Sequence, residues 1–362
     1  MKRRTRAHRA TSSNRIERRQ RRRSMYARST PILGGMSDPF QPAERHFGVT
    51  ARTLAAVRRW RYPIVISTRG TLVAEAPYLS ILQELDSVVV QFSFSSTKDE
   101  AARLTEPYAT APSVLLSVME RLASKGVPVT VRWQPFIPGV SEGSEEFVRR
   151  ISAAGARHVA LEHLKIPVET GSKLWSQIKG RIGRDLRAEY HAFGARRRGR
   201  ELILPSEAKL PTILATRGAA HRMGMTFGAA DNEFQYLSDT KCCCSGVDQF
   251  PGFQNFFRHQ IGYAVRESAG GEIRYAMITA EWSPRAKVDR FLNSRSRVDG
   301  GMALNGHIRT HWCDPQGSFT PVSFFGVTAR AGSDGRYPTF SWSPTGEALW
   351  TGAACALTSA EK

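Results

Sequence analysis

Apolar positions along the chain switch between two periods. Residues 62–68 form a short apolar run rich in β-branched side chains, which predicts a buried strand. Residues 77–85 then place Leu79, Ile81, Leu82 and Leu85 on one helical face. Residues 87–95 alternate again, with Val88, Val90, Phe92 and Phe94 on one side of a second strand. Helical spacing returns at Val114, Leu115, Val118, Met119 and Leu122, with Gly126 placed to stop the helix over 112–125. Residues 127–133 predict a third strand. Ser144 is positioned to cap the next helix, with Glu145 and Glu146 in its first turn and Gly155 closing it. Residues 158–164 predict a fourth strand.

Four successive βα units with short links imply a parallel sheet wrapped by helices, either a barrel or a doubly wound sheet. A barrel is favoured, because no Gly-rich phosphate fingerprint follows any strand. In both architectures ligands sit beyond the carboxyl ends of the strands. Those ends are polar here: Ser67-Thr68-Arg69, Ser93 with Ser95-Ser96-Thr97-Lys98, Arg132 with Gln134, and Glu162-His163. Singly, each residue reads as a helix cap or a solvated loop position. Together they suggest a site for an anionic or zwitterionic small molecule.

Composition narrows the setting. At 362 residues and 41 % hydrophobic, the chain has material for one large or two modest domains. No run of about eighteen apolar residues suggests a membrane span, and no apolar stretch follows the charged start, so a secretory signal is not expected. Five cysteines, three of them adjacent, are too few for a disulfide scaffold, and a reduced, cytoplasmic setting is expected. Charge is the unusual quantity: 52 basic residues against 32 acidic ones give +20. Residues 1–28 hold twelve Lys or Arg against the single acid Glu17. Such density cannot pack, so this stretch reads as a disordered basic arm, either simply solvated or attracting nucleic acid without reading its sequence. A second block runs Arg196-Arg197-Arg198-Gly199-Arg200, a solvated turn or a grip on phosphates.

The motifs, taken in order, resemble one family. Gly34-Gly-Met-Ser-Asp-Pro-Phe-Gln-Pro-Ala-Glu44, Tyr62-Pro-Ile-Val-Ile-Ser-Thr-Arg69, Phe92-Ser-Phe-Ser-Ser-Thr97 with Glu106-Pro107, Pro128-Val-Thr-Val-Arg-Trp-Gln-Pro-Phe-Ile-Pro-Gly139 and Ala153-Ala-Gly-Ala156 belong to this order. Phe227-Gly-Ala-Ala-Asp-Asn-Glu-Phe234, Cys242-Cys-Cys-Ser-Gly-Val-Asp248 and Pro251-Gly-Phe253 continue it. The series resembles radical S-adenosylmethionine (radical SAM) enzymes of the spore photoproduct lyase-like, DNA-repair-photolyase-annotated group. The resemblance implies an α/β fold, a partial (β/α)6 TIM-like barrel over 29–235 with a C-terminal extension over 236–362, following the basic arm over 1–28 that the charge indicates. It implies a 4Fe–4S cluster and S-adenosylmethionine at the top of the barrel, with Ser93, Ser95 and Arg69 on the cofactor rim and Arg132 and Glu162 facing the substrate.

One departure bears on activity. The family's C-x3-C-x2-C supplies three thiolates to the cluster, but Arg18, Arg22 and Met25 stand at the corresponding positions before Tyr26-Ala27-Arg28. No cysteine precedes Cys242, arginine does not ligate iron, and the expected first barrel strand is missing as well. The implied function is therefore a lyase-like radical SAM enzyme that is shortened or inactive in this chain, and the alternative is a non-catalytic nucleic-acid-binding paralogue. Cys242, Cys243 and Cys244, with Cys313 and His311, could form an auxiliary metal site, though the spacing matches no standard ferredoxin or zinc pattern. Buried free thiols and a redox role are the competing readings. Residues 174–190 predict a basic amphipathic helix, and 202–205 a further barrel strand before a helix ending near Gly224 and a strand over 225–228.

Overall fold

The computed structural model describes residues 32–35, 37–169, 172–242, 245–253, 261–268, 271–278, 312–313, 327–333 and 337–342. The expectations for the basic arm, for Arg18, Arg22 and Met25, and for Cys243, Cys244 and His311 fall outside these residues. The chain begins with β1 (Ile32–Leu33), α1 (Glu44–Phe47), α2 (Val49–Trp60), β2 (Ile64–Thr68), α3 (Tyr78–Gln83) and β3 (Val88–Phe94). It continues through α4 (Asp99–Thr105), α5 (Pro112–Ser124), β4 (Val129–Phe136), α6 (Ser144–Ala153), β5 (Ala156–His163) and β6 (Ile166–Pro167). Next come α7 (Ser172–Ile182), α8 (Leu186–Ala192), β7 (Arg196–Arg198), β8 (Glu201–Ile203), α9 (Ser206–Arg222) and β9 (Thr226–Ala229). Beyond these, α10 (Ile261–Glu267) precedes an antiparallel pair, β10 (Val327–Ser333) and β11 (Pro338–Trp342).

Six strands form one sheet in the order β1-β2-β3-β4-β5-β9, and every pairing in it is parallel. Strands sit beside their sequence neighbours, so the sheet is wound in one direction. The alternation along each strand separates its two faces. Ile64, Ile66, Val90, Phe92, Val131, Trp133, Val159, Leu161 and Phe227 share one hydrophobic cluster with Leu54 of α2, Leu79 of α3, Met119 of α5, Phe147 of α6 and Ile213 of α9. All these helices therefore cover the same face, which separates this fold from a doubly wound sheet. Trp133 lies flat on Phe147 at 3.8 Å and 4° and donates its indole N–H to the Ser95 carbonyl at 3.1 Å. One fully buried aromatic pair of this kind contributes several kcal/mol of apolar burial, at about 25 cal/mol per Å². Among the described residues β1 and β9 are the two edges of this parallel sheet.

Three local expectations are corrected. Ser144 is the first residue of α6 rather than its cap: the cap is Gly143, and the serine hydroxyl pairs with Thr216 Oγ1 of α9 at 2.9 Å. The amphipathic stretch over 174–190 breaks into α7 and α8, because Gly183 turns the chain at φ +71° and Asp185 caps α8 by accepting from the Ala188 N–H at 3.1 Å. Residues 201–203 do form a strand, but not in the parallel sheet. β8 pairs antiparallel with β6 and β7 in a separate three-stranded sheet. This small sheet packs its own cluster, including Ile137, Ile166, Leu186, Tyr190 and Leu202.

Candidate functional site

The face of the parallel sheet opposite the helices carries the chemistry. Alternation puts Val65 and Ser67, Val89, Gln91 and Ser93, Thr130 and Arg132, His158, Ala160 and Glu162, and Thr226 and Gly228 on it. Its amino-terminal half is covered. Val65 and Val89 pack with Cys242, Val247 and Phe253, so the segment following the sheet lies across the lower part of that face. His158 is closed in by the same segment: a Cβ on Gly246 would stand 2.4 Å from the ring, and Gln249 bonds Thr226 Oγ1 at 2.9 Å.

Above this floor the carboxyl ends of β2 to β5 form a polar rim. Arg69, just after β2, pairs with Glu106, whose other oxygen accepts from Ser95 Oγ at 2.8 Å. A second nitrogen of Arg69 reaches the Gln134 carbonyl at 3.5 Å. On the neighbouring strands Glu162 accepts from Gln134 and Lys165, with Arg132 3.6 Å away. Burial opposes the charge on Lys165, yet the adjoining Glu162 carboxylate holds its pKa above the ordinary value. Arg69 is itself held in place. Asp38, in the segment after β1, accepts from the Arg69 backbone N–H at 2.6 Å and from Thr68 Oγ1 at 2.7 Å.

The rim thus joins Arg69, Ser95, Arg132 and Glu162 in one connected cluster, and Ser93 lies half-buried opposite Arg132 in the β3–β4 register. Gln134 belongs to it as well. Glu106 and Lys165 were not singled out as site residues by sequence reasoning, although Glu106 lies in a motif of the resemblance. A groove of about 490 Å³ runs along the β1 edge, bordered by Leu33, Gln41, Phe47, Thr50 and Asp38, the carboxylate that also holds Arg69.

A second charged network lies on the far side of the same strand ends; sequence reasoning reads His163 there only as a polar strand end and does not single out Lys209. Lys209 of α9, 1 % exposed, bridges Asp231 at 3.0 Å and Glu233 at 2.6 Å. Asp231 also accepts from His163 Nδ1 at 2.7 Å and from the His163 backbone N–H at 3.1 Å. Burial alone would raise the Asp231 pKa, but these donors hold it at about 2, so the carboxylate is ionised in the interior. The network ties β5, α9 and the loop after β9 together beneath the rim.

The cysteines divide. Cys242 is fully buried, its sulfur accepts from the Val247 N–H at 3.1 Å, and burial pushes its thiol up to about 12. Here Cys242 packs against Val65, Val89, Val247 and Phe253. Cys313 is exposed. Among the described residues, no group of three or more His, Cys, Asp or Glu side chains is arranged to hold a metal ion. In native protein at pH 8, a thiol reagent is expected to label Cys313 quickly and Cys242 only on unfolding. Peptide mass spectrometry checks this, and equal labelling rates would contradict the burial of Cys242.

Among the described residues, no helix is long and apolar enough to cross a membrane. No family model matches the chain. Uncharacterized proteins from two strains of Mycobacterium tuberculosis and from Mycobacterium bovis are each 26 % identical over 150 residues, which is 40 % of this chain. The match covers 44 % of the length of these relatives. Among solved structures, a spore photoproduct lyase double mutant with bound AdoMet and dinucleoside spore photoproduct aligns with TM-score 0.42 and 14 % identity, over 55 % of this chain and 60 % of that one. Streptococcus suis SuiB bound to precursor peptide SuiA aligns with TM-score 0.30 and 9 % identity, over 60 % of this chain and 52 % of that one. SuiB alone gives TM-score 0.32 at 9 % identity, over 66 % of this chain and 57 % of that one. The chain is therefore similar to these proteins over part of its length and at low identity, with a singly wound parallel sheet as its own architecture.

Proposed function

We propose that this chain belongs to the radical SAM kind of protein, binds S-adenosylmethionine at its polar rim, and does not cleave it. One observation carries the reading: the ends of four adjacent strands gather Arg69, Ser95, Arg132 and Glu162, with Glu106, Gln134 and Lys165, into one cluster of mixed charge. A zwitterionic amino-acid group needs a cation for its carboxylate and a carboxylate for its ammonium, and this rim offers both within hydrogen-bonding reach of one another. The ordered motifs from Gly34 to Phe253 agree with the same family.

The cluster chemistry of that family does not fit these residues. A 4Fe–4S cluster that leaves one iron open takes three thiolates. Arg18, Arg22 and Met25 offer none, no cysteine precedes Cys242, and Cys242 itself is a buried, protonated thiol. No radical step is assigned to this chain. Isothermal titration with S-adenosylmethionine is expected to show weak binding, lowered about tenfold in Arg69→Ala, the effect of losing one charge-assisted hydrogen bond. No 5′-deoxyadenosine is expected after anaerobic iron and sulfide treatment with reductant. Binding unaltered in both Arg69→Ala and Ser93→Ala would remove the rim assignment, and robust 5′-deoxyadenosine would overturn the missing-cluster argument.

The second reading is a basic nucleic-acid-binding paralogue. Arg196, Arg197 and Arg198 are all exposed on β7, an edge strand, with Arg200 exposed in the following turn. Three phosphate contacts correspond to a slope of about −2.7 in log affinity against log salt. Changing the three arginines to alanine is expected to flatten the slope for duplex DNA by roughly that amount, and removing residues 1–24 to flatten it further. An unchanged slope in both variants would exclude this reading.

A further inference from the structure

Three side-chain atoms on the sheet face opposite the helices are buried and have no hydrogen-bond partner among the described residues: Thr130 Oγ1, Arg132 Nε and His158 Nε2. They come from adjacent strands, β4 and β5, on the face whose amino-terminal half Cys242, Val247 and Phe253 cover. Leaving such a group unpaired costs roughly 1–3 kcal/mol, so their gathering on one face calls for an occupant.

The direction of the histidine is determined by its neighbours. Nδ1 lies 2.9 Å from Thr226 Oγ1, whereas a Cβ built on Gly228, two residues further up β9, would stand 3.0 Å from Nε2. The ring therefore stands along β9 with Nε2 turned toward the carboxyl ends of the strands. What lies beside it is small: Gly228 has no side chain, and Ala160 has only a methyl.

The tautomer follows from Thr226. Its one hydroxyl proton goes to the Arg157 carbonyl at 3.3 Å, and the Gln249 amide donates to the same oxygen at 2.9 Å. With that proton so engaged, we assign the donor role in the 2.9 Å bond to His158 Nδ1, which leaves Nε2 as a bare lone pair. Burial lowers the pKa of this imidazole to about 4, so the ring is neutral near pH 7. The three orphaned groups amount to one acceptor, one fixed N–H donor and one hydroxyl.

We infer that this face, below the rim, is a binding subsite for an uncharged polar group that donates one hydrogen bond to His158 Nε2 and accepts two, from Arg132 Nε–H and Thr130 Oγ1. An alcohol hydroxyl and an amide or lactam edge both meet that count. A charged group does not: His158 is neutral, and the Arg132 charge is already opposed by Glu162. The inference rests on reading this face as the ligand face, and it does not require S-adenosylmethionine.

The test uses the full chain with 15N-labelled histidine and small probes in place of a substrate. A bare imidazole nitrogen resonates far from a hydrogen-bonded one, so the His158 Nε2 signal reports the contact directly. Ethylene glycol or 2-pyrrolidinone is expected to shift that signal saturably, and the stronger of the two separates the alcohol from the amide source. The donor-blocked partners, 1,2-dimethoxyethane and N-methyl-2-pyrrolidinone, are expected to leave it in place. Thr130→Val, which keeps the shape, should weaken probe binding about fivefold, the effect of one neutral hydrogen bond. Gly228→Ala, whose methyl fills the space beside Nε2, should abolish it. A signal that no probe moves, or that the blocked probes move equally, would mean that water alone satisfies these groups and would overturn the subsite. Probe binding without S-adenosylmethionine binding would refute the rim reading and leave this one standing, and the converse holds equally.

Discussion

Lys209→Met is expected to destabilise the fold by about 3–5 kcal/mol, the effect of removing one partner from a buried ion pair. Methionine replaces the stem of the lysine, so the loss isolates the charge. Asp231, 0 % exposed, would keep only the His163 contacts to offset its burial. Its carboxylate, held at about pKa 2 in the native protein, would move toward the ordinary value or above it. Urea unfolding at pH 7 measures the loss. The double change with Asp231→Asn should recover part of it, because no uncompensated charge then remains inside. A loss below about 1 kcal/mol would fall in the range of an exposed pair and would mean that water reaches this network.

Stability is expected to fall as pH is lowered from about 6.5 to about 4, through His158. Its folded-state pKa is depressed by burial to about 4, although Asp248 and Asp239 pull it upward, while an unfolded histidine titrates near 6.5. Over that window the unfolded chain binds a proton that the native chain excludes. The contribution is therefore complete above pH 6.5, erodes as pH falls, and is lost below 4. At 1.36 kcal/mol per pH unit the total is about 3 kcal/mol. His158→Gln should remove that portion of the pH slope, measured as the difference in unfolding free energy between pH 7 and pH 4.5. The Asp231 titration lies lower, near 2, and leaves the window clear. An unchanged slope in the variant would mean that the imidazole is solvated in the native state.

The four strands and the helices between them were legible because each is a local pattern. Runs such as Val88-Val-Val-Gln-Phe-Ser-Phe94 have no alternative use in a globular chain, and burial of one face demands the period seen. Polar residues at the strand ends were legible for the same reason: alternation carries Ser93, Arg132 and Glu162 onto one face without knowledge of what surrounds them. The period also implies where Thr130 and His158 point, two positions ahead of Arg132 and four ahead of Glu162, although they attract no attention as single residues. Where local pattern is ambiguous, reading failed. The four-residue spacing from Leu174 continues through Gly183, but the backbone turns there, and a three-residue strand at Glu201–Ile203 holds no information about its partners.

Partnership across the chain was the part that only the tertiary structure decided. Arg69 meets Glu106 and Lys209 meets Asp231 across 37 and 22 residues, and neither carboxylate differs locally from a solvated one. The covering of the lower sheet face by Cys242, Val247 and Phe253 likewise turned a cysteine run of unusual spacing into a packing element at its first residue. Sequence by itself determined which positions are apolar, how they alternate, and that no thiolate precedes Cys242. It could not determine which charges are desolvated together. Local propensity acts over a few residues, whereas the energy of a buried charge depends on every group that folding brings within a few ångströms of it.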